Sequence, residues 1–272
     1  MAGVSTESRD ALVETFSRRF AADANATISS ELFAVASLAD RDGTFRRALT
    51  DPSREAQQRR GIAARVLDGK VYPAVKEMVG LAAASRWSAE RDLADALEHL
   101  AVLAAAETAE HRGGSQAVDE VAADLLRFAH AVGTEPELQR ALSDQRATAE
   151  VKRTLVSEAI PMSTPEGRDL IDQVVSHPRG VLPAALAERF AEILTALNQR
   201  SIAKVTVSSA LDQRRRDRLA AVLSSIYGRE MTLDVTVDPQ VIGGIKIQVG
   251  DEVIDGTVTA KVSELSRALQ AQ

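Results

Sequence analysis

The most constraining feature of this chain is the stretch from residue 237 to 269, where glycines, aspartates and β-branched residues are regularly spaced. Residues 245–249, IKIQV, alternate aliphatic and polar side chains, and a period of two places the aliphatic ones on one face of a strand. Gly243 and Gly244 stand directly before it, where the missing Cβ permits a positive φ or the close approach of another backbone. The pattern predicts a half-buried strand entered through a glycine pair.

The residues around this strand predict a turn before it and a hairpin and a helix after it. Asp238-Pro239 is a turn signal, because proline fixes φ and has no N–H to donate. Gly250-Asp251 is a hairpin turn, the chain returns through Val253-Ile254, and Asp255-Gly256 ends the short return strand. Aliphatic residues then recur at three- and four-residue steps, which is typical of an amphipathic helix; they are Val258, Val262, Leu265 and Leu269.

Residues 201 to 237 add a strand, a helix and a second strand ahead of this stretch. Aliphatic residues between Ile202 and Val207 predict the first strand, and residues 231–237, MTLDVTV, predict the second. The helix between them runs from Asp212 to Tyr227 and is expected to turn three side chains inward, namely Leu219, Leu223 and Ile226. The C-terminal region is therefore predicted to be a small β-α-β-β-α domain.

The chain before residue 201 is rich in alanine and in helical periodicity, and six helices are predicted before the break at residues 111–114. Asp51-Pro52 is predicted to start the fourth helix, with Asp as N-cap, and Ser88 to cap the sixth. The first helix, residues 7–21, and the sixth, residues 89–110, carry apolar stripes; these are Leu12, Phe16 and Phe20, and Leu93, Leu97 and Leu100. On the second helix, Leu38 is expected to be buried.

The following residues repeat features of this helical segment. Residues 46–51, RRALTD, recur 93 positions later (46 to 139) as QRALSD, and the helix around Glu98 recurs 90 positions later around Glu188. Two anchors in the same order predict a duplicated helical unit, although alanine-rich helices also align by chance. The expected core of the second copy is Leu125, Leu126, Leu155, Ile160, Leu170, Ile171, Val174, Phe190, Leu194 and Leu197.

These patterns together predict an α+β chain that is mostly α. Two six-helix-like bundles are expected, one over residues 1–112 and a second, repeated one over residues 113–200, followed by the α/β domain over residues 201–272. Thr164-Pro165 and Leu182-Pro183 mark expected helix starts in the second bundle.

Composition excludes several classes of function. The 272 residues carry a net charge of −6 and only 3% aromatic side chains, a poor basis for tracking a phosphate backbone, so no nucleic-acid partner is expected. The chain has no cysteine, which excludes disulfides and thiolate chemistry. No signal peptide or spanning segment is evident, so we expect a soluble protein that reaches a membrane only through partners.

No catalytic or metal-binding constellation stands out in the sequence. Gly243-Gly244 enters a strand, so it cannot aim a helix N-terminus at a phosphate. The four histidines lack metal-ligand spacing. Asp251, Glu252 and Asp255 form the nearest thing to a carboxylate cluster, and turn chemistry accounts for them. We therefore expect no enzyme, cofactor or metal, and retain a carboxylate site at these three residues as an alternative.

The stretch from 237 to 257 resembles the C-terminal signature of the δ subunit of F-type ATP synthases, the bacterial counterpart of the oligomycin-sensitivity-conferring protein. The family pattern is present as VDP at 237–239, VIGG at 241–244, an alternating strand, GD at 250–251 and IDGT at 254–257. Thr257 replaces the commoner Ser, and Val262 stands where Leu is usual. The matching positions with a structural role are Asp238, Pro239, Gly243, Gly244, Gly250, Asp251, Asp255 and Gly256.

The resemblance implies a non-catalytic stator subunit of a proton-translocating ATP synthase. Family members have one six-helix domain, and the extra helical copy is similar to the longer actinobacterial δ subunits. In the family, the helical domain grips the N-terminal segments of α subunits of the catalytic head, and the C-terminal domain holds the membrane-anchored b subunit. The implied location is peripheral, on the cytoplasmic face of the bacterial cell membrane.

From this resemblance we expect the stripes on the first and sixth helices to line a groove for an α-subunit segment. The residues of this hypothesis are Leu12, Phe16, Phe20, Leu93, Leu97 and Leu100. The alternatives are that all six are plain core positions, or that the second copy provides the groove. A different reading of the whole chain is a helical-repeat adaptor unrelated to ATP synthase.

Overall fold

The chain divides into two compact units, Met1–Thr195 and Ala196–Gln272, which we call the helical unit and the sheet unit. The computed structural model describes residues 3–144, 146–200, 202–227, 231–238, 241, 243–249 and 252–257.

Among the described residues, the helical unit contains nine α-helices, one short 3-10 helix and most of a tenth α-helix, whose last residues belong to the sheet unit. Their bounds are α1 Gly3–Arg19, the 3-10 helix Ala21–Asp23, α2 Ala26–Arg41, α3 Gly43–Thr50, α4 Ala56–Leu67, α5 Pro73–Ala84, α6 Arg91–Thr134, α7 Pro136–Ser143, α8 Ala149–Ala159, α9 Pro165–Ser176 and α10 Pro183–Arg200.

Two glycines interrupt α6, the longest helix. Gly113 has φ −161° and ψ 25°, and Gly114 has φ 67° and ψ −164°, so neither continues the helical path. We call the first part, residues 91–112, α6a and the second, residues 115–134, α6b. The interruption lies where the sequence predicts the boundary between the two bundles. Packing nevertheless groups the helices on both sides into one compact unit, and the division into two bundles stays a prediction.

Three helix starts follow the local signals. Asp42 caps α3 by accepting from Thr44 N at 2.8 Å. Thr164 caps α9 by accepting from Gly167 N at 3.0 Å, and Pro165 occupies the first helical position. Helix α10 begins at Pro183, also as predicted. The starts of α9 and α10 lie within the residues that carry the predicted signal.

Two predicted helix starts are wrong. Asp51 ends α3, and its carboxylate accepts from Ser53 N at 2.9 Å in a local turn. Helix α4 begins later, at Ala56, because Glu55 and Gln58 form a reciprocal capping box that is stronger than the Asp-Pro signal. Ser88 does not cap α6a, which begins at Arg91.

The core of the helical unit lies around α2 and α6. Leu32 on α2 and Leu97 on α6a are fully buried, and the rings of Phe33 on α2 and Phe190 on α10 lie 5.8 Å apart. Two leucines expected in the core are exposed instead: Leu38 at 40% and Leu126 at 51%. Each lies on the solvent-facing stripe of its helix, because it follows other exposed residues at helical spacing.

The sheet unit contains a four-stranded sheet in the order β2-β1-β3-β4. The strands are β1 Ile202–Val207, β2 Thr232–Val237, β3 Ile245–Val249 and β4 Glu252–Asp255, with α11 Gln213–Tyr227 between β1 and β2. Strands β1 and β2 are parallel, whereas β3 runs antiparallel to both β1 and β4.

One sheet face packs against α11 and forms a small core. Ile247 and Val249 are buried while Lys246 and Gln248 are exposed, which confirms the predicted alternation. The predicted return strand is confirmed as β4, and it gives the sheet one strand more than the β-α-β-β-α summary counts. One detail of the prediction is wrong, because Ile226 is 65% exposed instead of inward. The predicted helix from Val258 lies outside the described residues.

Candidate functional site

The six side chains predicted to line a partner groove are buried in the helical unit. On α1, Leu12 and Phe16 are buried, as is Phe20 directly after it; on α6a the same holds for three more, Leu93, Leu97 and Leu100. This packing agrees with the alternative that they are core positions. Contact with an α-subunit segment stays a prediction, and their burial does not favour it.

The glycine pair before β3 adopts the geometry that the sequence predicts. Gly243 has φ 69° and Gly244 has φ 88°, values that favour glycine. A Cβ on Gly244 would lie 2.8 Å from Thr257 Cα. Gly256 N donates to Ile245 O at 2.9 Å, which holds the end of β4 against the start of β3. The glycines therefore meet requirements of backbone geometry.

The acidic residues of the same stretch have local partners. Asp255 accepts from Thr257 N at 3.0 Å, and hydrogen bonds from Thr257 lower the pKa of its carboxyl group. Glu252 accepts from the hydroxyl of Tyr227 at 2.9 Å. Asp238 N donates to Val207 O at 2.9 Å. Pro239, Gly250 and Asp251 lie outside the described residues.

A cleft of about 420 Å³, which we call the α9 cleft, opens in the helical unit between α2, α6, α8 and α9. Helix α2 supplies one wall, with Thr27, Ser30 and Phe33. The facing walls include Ala105 from α6a and Leu170 from α9. Phe33, Ala105 and Leu170 are themselves buried, so they offer a partner little surface.

Acidic side chains outnumber basic ones in the α9 cleft. Glu166 is paired with Arg112, whose Nη2 lies 3.0 Å from Glu166 Oε2. The carboxylates of Asp169 and Asp172 make no hydrogen bond or ion pair with any residue that the structure describes. Desolvation raises the pKa of both carboxyl groups, and for Asp169 the negative charges of Asp172 and Glu166 raise it further. Arg153 is the basic side chain among the lining residues.

The C-terminal end of α9 also reaches this cleft. Ser176 Oγ and His177 Nδ1 are buried atoms without a hydrogen-bond partner among the described residues. Desolvation lowers the pKa of His177, and the positive charges of Arg41 and Arg153 lower it further. The imidazole is therefore neutral at physiological pH and adds no cation to the cleft.

A second cleft of about 640 Å³ lies between α6b, α7 and α8. Leu138, Leu155 and Ile160 give it an apolar floor, and Glu135 and Glu137 stand among its lining residues. Leu155, predicted to be a core residue, is thus only partly buried. Both clefts are lined largely by helices that follow residue 100.

A buried ion-pair network ties the loop before α10 to α2 and α6a. The guanidinium of Arg179 is 6% exposed and lies 2.9 Å from Glu98 Oε2 and 2.5 Å from Asp95 Oδ1. Asp40 on α2 lies 3.5 Å from Arg179 Nε, and Arg189 also pairs with Glu98. Burial alone would lower the pKa of Arg179, but the carboxylates of Glu98 and Asp95 raise it. The network therefore joins α2 and α6a, which precede the interruption at Gly113 and Gly114, to α10, which follows it.

A buried carboxylate organises the start of α9. Asp124 on α6b accepts from Thr164 N at 2.9 Å, Thr164 Oγ1 at 2.7 Å and Ser163 Oγ at 2.8 Å. Burial raises the pKa of Asp124, but the hydrogen bonds from Thr164 and Ser163 outweigh that effect and lower it. In the first half of the unit, Glu31 on α2 accepts from Tyr72 N, next to the start of α5, at 2.6 Å.

Sequence reasoning did not identify the α9 cleft or the network around Arg179. Local patterns indicate which helix face is apolar, but they do not show which distant helix covers it. A polar signal was present, since Glu98 and Asp124 interrupt apolar stripes of α6 and are nevertheless buried. Charged residues are almost never fully buried unless they are paired, so such positions point to long-range partners.

None of the helices that the structure describes is both long enough and apolar enough to cross a membrane.

Comparison with known proteins gives a consistent result. The model of the family described as "ATP synthase delta (OSCP) subunit" matches residues 100–269. The chain is 40% identical over 270 residues to ATP synthase subunit delta of Renibacterium salmoninarum, covering 99% of each chain. It is 38% identical to the same subunit of Streptomyces griseus, covering 90% of this chain and 89% of that one.

A solved structure of the mitochondrial ATP synthase hexamer of Toxoplasma gondii contains a chain with 15% identity to this one. The match covers 57% of this chain and 88% of that chain, with a TM-score of 0.30. That value is too low to support an argument.

Proposed function

This chain belongs to the ATP synthase delta (OSCP) subunit family, and from that premise we propose that it links the α subunits of the catalytic head to the b subunit of the peripheral stalk. Members of the family are structural components of that stalk, and this chain is not an enzyme. The observation that carries the proposal is the similarity to δ subunits along 99% of the chain. An adaptor unrelated to ATP synthase is not favoured, because the similarity includes both the helices and the sheet.

We infer that the helical unit arose by duplication of one helical module. Gly43 and Pro136, the first residues of α3 and α7, are 93 positions apart, and Pro73 and Pro165, the first residues of α5 and α9, are 92 apart. A contact next to a helix start is repeated as well: Glu31 accepts from Tyr72 N, and Asp124 accepts from Thr164 N. The repetition supports duplication beyond the two sequence anchors.

Helix α6a has a place in both modules of this scheme. It is the last helix of the first module, α1 to α6a, and the first helix of the second, α6a to α10. The match to the family begins at residue 100, inside α6a. We therefore propose that the second module corresponds to the family's single helical domain, and that it carries the contact with the α subunits.

The sheet unit is the proposed site for the b subunit. Val222 and Ile226 on α11 are 48% and 65% exposed, four residues apart on one helix face, and Val253 and Ile254 on β4 are exposed as well. Val253 and Ile254 are neighbours on a strand and point to opposite faces, so the proposal rests on the exposed aliphatic pair of α11. Binding through two linked units makes the second engagement effectively intramolecular, which raises the total affinity.

The proposed location follows from these partners. The chain is peripheral to the membrane complex, and we propose that it stands on the cytoplasmic face of the bacterial cell membrane, held there by the b subunit.

Reconstitution tests the proposal. Membranes stripped of this subunit should lose the ATPase-active head, and adding the purified chain back should restore both the bound head and ATP-driven proton pumping. The ATPase rate of the isolated head should be the same with and without the chain, because the chain supplies no catalytic group. Coupled pumping that persists after complete removal of the chain would contradict the proposal.

A further inference from the structure

We propose that an exposed ridge of α11 recognises the b subunit by charge and receives a helical segment of b in which carboxylates stand next to aliphatic side chains. The α11 ridge consists of Arg214, Arg218, Val222 and Ile226, which follow one another at steps of four residues. The inference rests on the proposed function, since it assumes that the sheet unit binds the b subunit. It adds the chemistry of the partner, the residues that recognise it and the salt dependence of the contact.

The four side chains of the α11 ridge form one continuous row on the surface of the sheet unit. Residues four apart on a helix are neighbours, and a row of them makes a ridge that fits the groove of a second helix. Val222 is 48% exposed and Ile226 is 65% exposed, and both arginines are exposed as well. From Arg214 to Ile226 the ridge is about 18 Å long, so about three turns of a partner helix can lie along it.

The two arginines of the ridge are not used within the sheet unit. The guanidinium groups of Arg214 and Arg218 make no hydrogen bond or ion pair with any residue that the structure describes. The other two arginines of α11, Arg215 and Arg216, each have a partner. The one carboxylate of α11, that of Asp217, accepts instead from a glutamine one turn earlier, at 2.8 Å. Two cations of the ridge are therefore available to another chain.

The stability of α11 does not account for these arginines. Like charges four residues apart on a helix repel each other, and the first turn of a helix favours acidic side chains over basic ones. Helix α11 nevertheless carries four arginines and one aspartate, on a chain whose net charge is −6. Carboxylates of a bound partner would relieve this repulsion, because guanidinium groups form charge-assisted hydrogen bonds with carboxylates.

The aliphatic half of the ridge, Val222 and Ile226, favours a protein partner over a lipid surface or a nucleic acid. A helix that lies in a membrane surface buries a whole apolar face, whereas the apolar face of α11 is already packed on the sheet, where Leu223 is 2% exposed. Bases stack on aromatic side chains, and the ridge contains none. The ridge fits a helix that presents acidic residues at one end of a face and aliphatic residues at the other.

Removing one charge of the ridge tests the acidic partner. The full chain is bound to the detergent-solubilised membrane sector that retains b but lacks the catalytic head and this subunit, and interferometry measures the rates at low and high salt. Arg218→Gln should weaken binding about three- to tenfold, chiefly through slower association, and reduce its salt dependence. The melting temperature should stay the same or rise, because repulsion by Arg214 is relieved; a role that is only structural would lower it.

Lys204→Gln is the matched control for this loss of charge. Lys204 is exposed and lies on the sheet face away from α11, since its neighbours Ala203 and Val205 are buried in the core that α11 covers. The control should leave binding unchanged. Equal affinities for Arg218→Gln and Lys204→Gln would overturn recognition by charge.

Replacing an aliphatic side chain tests the other half of the ridge. Ile226→Ser should weaken binding to the same membrane sector about tenfold, mainly through faster dissociation. Val253→Ser is the matched control, because Val253 is 50% exposed on β4 and pairs with Gln248 on the sheet face away from α11. Equal losses of affinity for these two variants would show that the ridge is not the contact.

The outcomes separate this inference from the proposed function. If the unmodified chain does not bind the membrane sector, the proposed contact with b is wrong, and this inference is wrong with it. If it binds and both ridge variants bind equally well, the proposed function stands and the α11 ridge is not the site. Weakened binding for Ile226→Ser alone would overturn the acidic partner. Binding to vesicles of anionic phospholipid without b that is lost in Arg218→Gln would show that the ridge recognises lipid phosphate, and would also overturn the inference.

Discussion

The helical unit has a first half, α1 to α6a, and a second half, α6b to α10. The two halves follow a similar plan, but α4 and α5 are joined differently from their counterparts, α8 and α9. In the first half, Arg59 on α4 is 5% exposed and donates to Ala83 O at 2.7 Å and Ala84 O at 2.9 Å, at the end of α5. The position 93 residues later is Lys152 on α8 (59 to 152), which is also buried. Its side chain makes no hydrogen bond or ion pair within the part of the chain that the structure describes.

The difference lies in what the two basic side chains can bond. Arginine has five donors in a rigid fork and can join several carbonyl groups, whereas the lysine ammonium is a single point of attachment. At the end of α9, Ser176 Oγ and His177 Nδ1 are left without partners, and the α9 cleft opens there. In the first half Arg59 therefore joins α4 to the end of α5, whereas the side chain of Lys152 makes no corresponding bond from α8 to α9 among the described residues.

The largest expected effect comes from breaking the network that joins the two halves. Arg179→Met leaves Glu98 buried beside Arg189 alone and should lower the free energy of unfolding by about 3–5 kcal/mol. Urea unfolding, followed by the fluorescence of Trp87 in the helical unit, measures this. The exposed pair Arg18 and Glu14 provides the control, and Arg18→Met should change stability little. Similar effects for the two variants would show that the network does not join the halves.

An intermediate effect is expected at Asp124, with a defined pH dependence. Asp124→Asn removes a charged acceptor from Thr164 and Ser163 and should lower stability at neutral pH by about 1–3 kcal/mol. The folded pKa of Asp124 is lowered, so its stabilisation is present above the unfolded value, about 3.9, and is lost as pH falls through the folded value. The gap between wild type and variant should narrow in acid. A gap independent of pH would contradict this account.

The smallest effects come from exchanging the two basic residues of the comparison. Arg59→Lys should cost about 1–2 kcal/mol, because carbonyl groups at the end of α5 lose their donors. Lys152→Arg should stabilise by up to about 1 kcal/mol if the new guanidinium reaches the end of α9. Thermal unfolding of both variants measures the pair. Changes of the same sign would show that Arg and Lys do not account for the different closure.

Local chemistry in the sequence was enough to predict most helices and the sheet. Thr164 supplies a side-chain cap and Pro165 has a fixed φ, so the two residues together mark the start of α9. The alternation from Ile245 to Val249 shows which face of the strand is buried without information from the rest of the chain. The Gly243-Gly244 pair indicates positive φ because few other residues adopt it. Asp51-Pro52 misled because a turn and a helix start share the same residues, and the capping box at Glu55 was the stronger signal.

The site could not be predicted in the same way. Periodicity shows that Leu12, Phe16 and Leu93 share apolar stripes, but it does not distinguish a stripe that faces the chain's own core from one that faces a partner. Arg179 and Glu98 are 81 positions apart (98 to 179), and their pairing depends on how α6a meets the loop before α10. Such contacts are decided by the packing of whole helices.

Amide hydrogen exchange in the chain, free and bound to the catalytic head, tests the central claim that the second module receives the α subunits. Exchange should slow in α9, Pro165–Ser176, a helix of the second module, when the head binds, because a bound chain protects the helix that it contacts. It should stay unchanged in α5, Pro73–Ala84, its counterpart in the first module. Slower exchange confined to α5, or no change in either helix in a complex that has formed, would contradict the account.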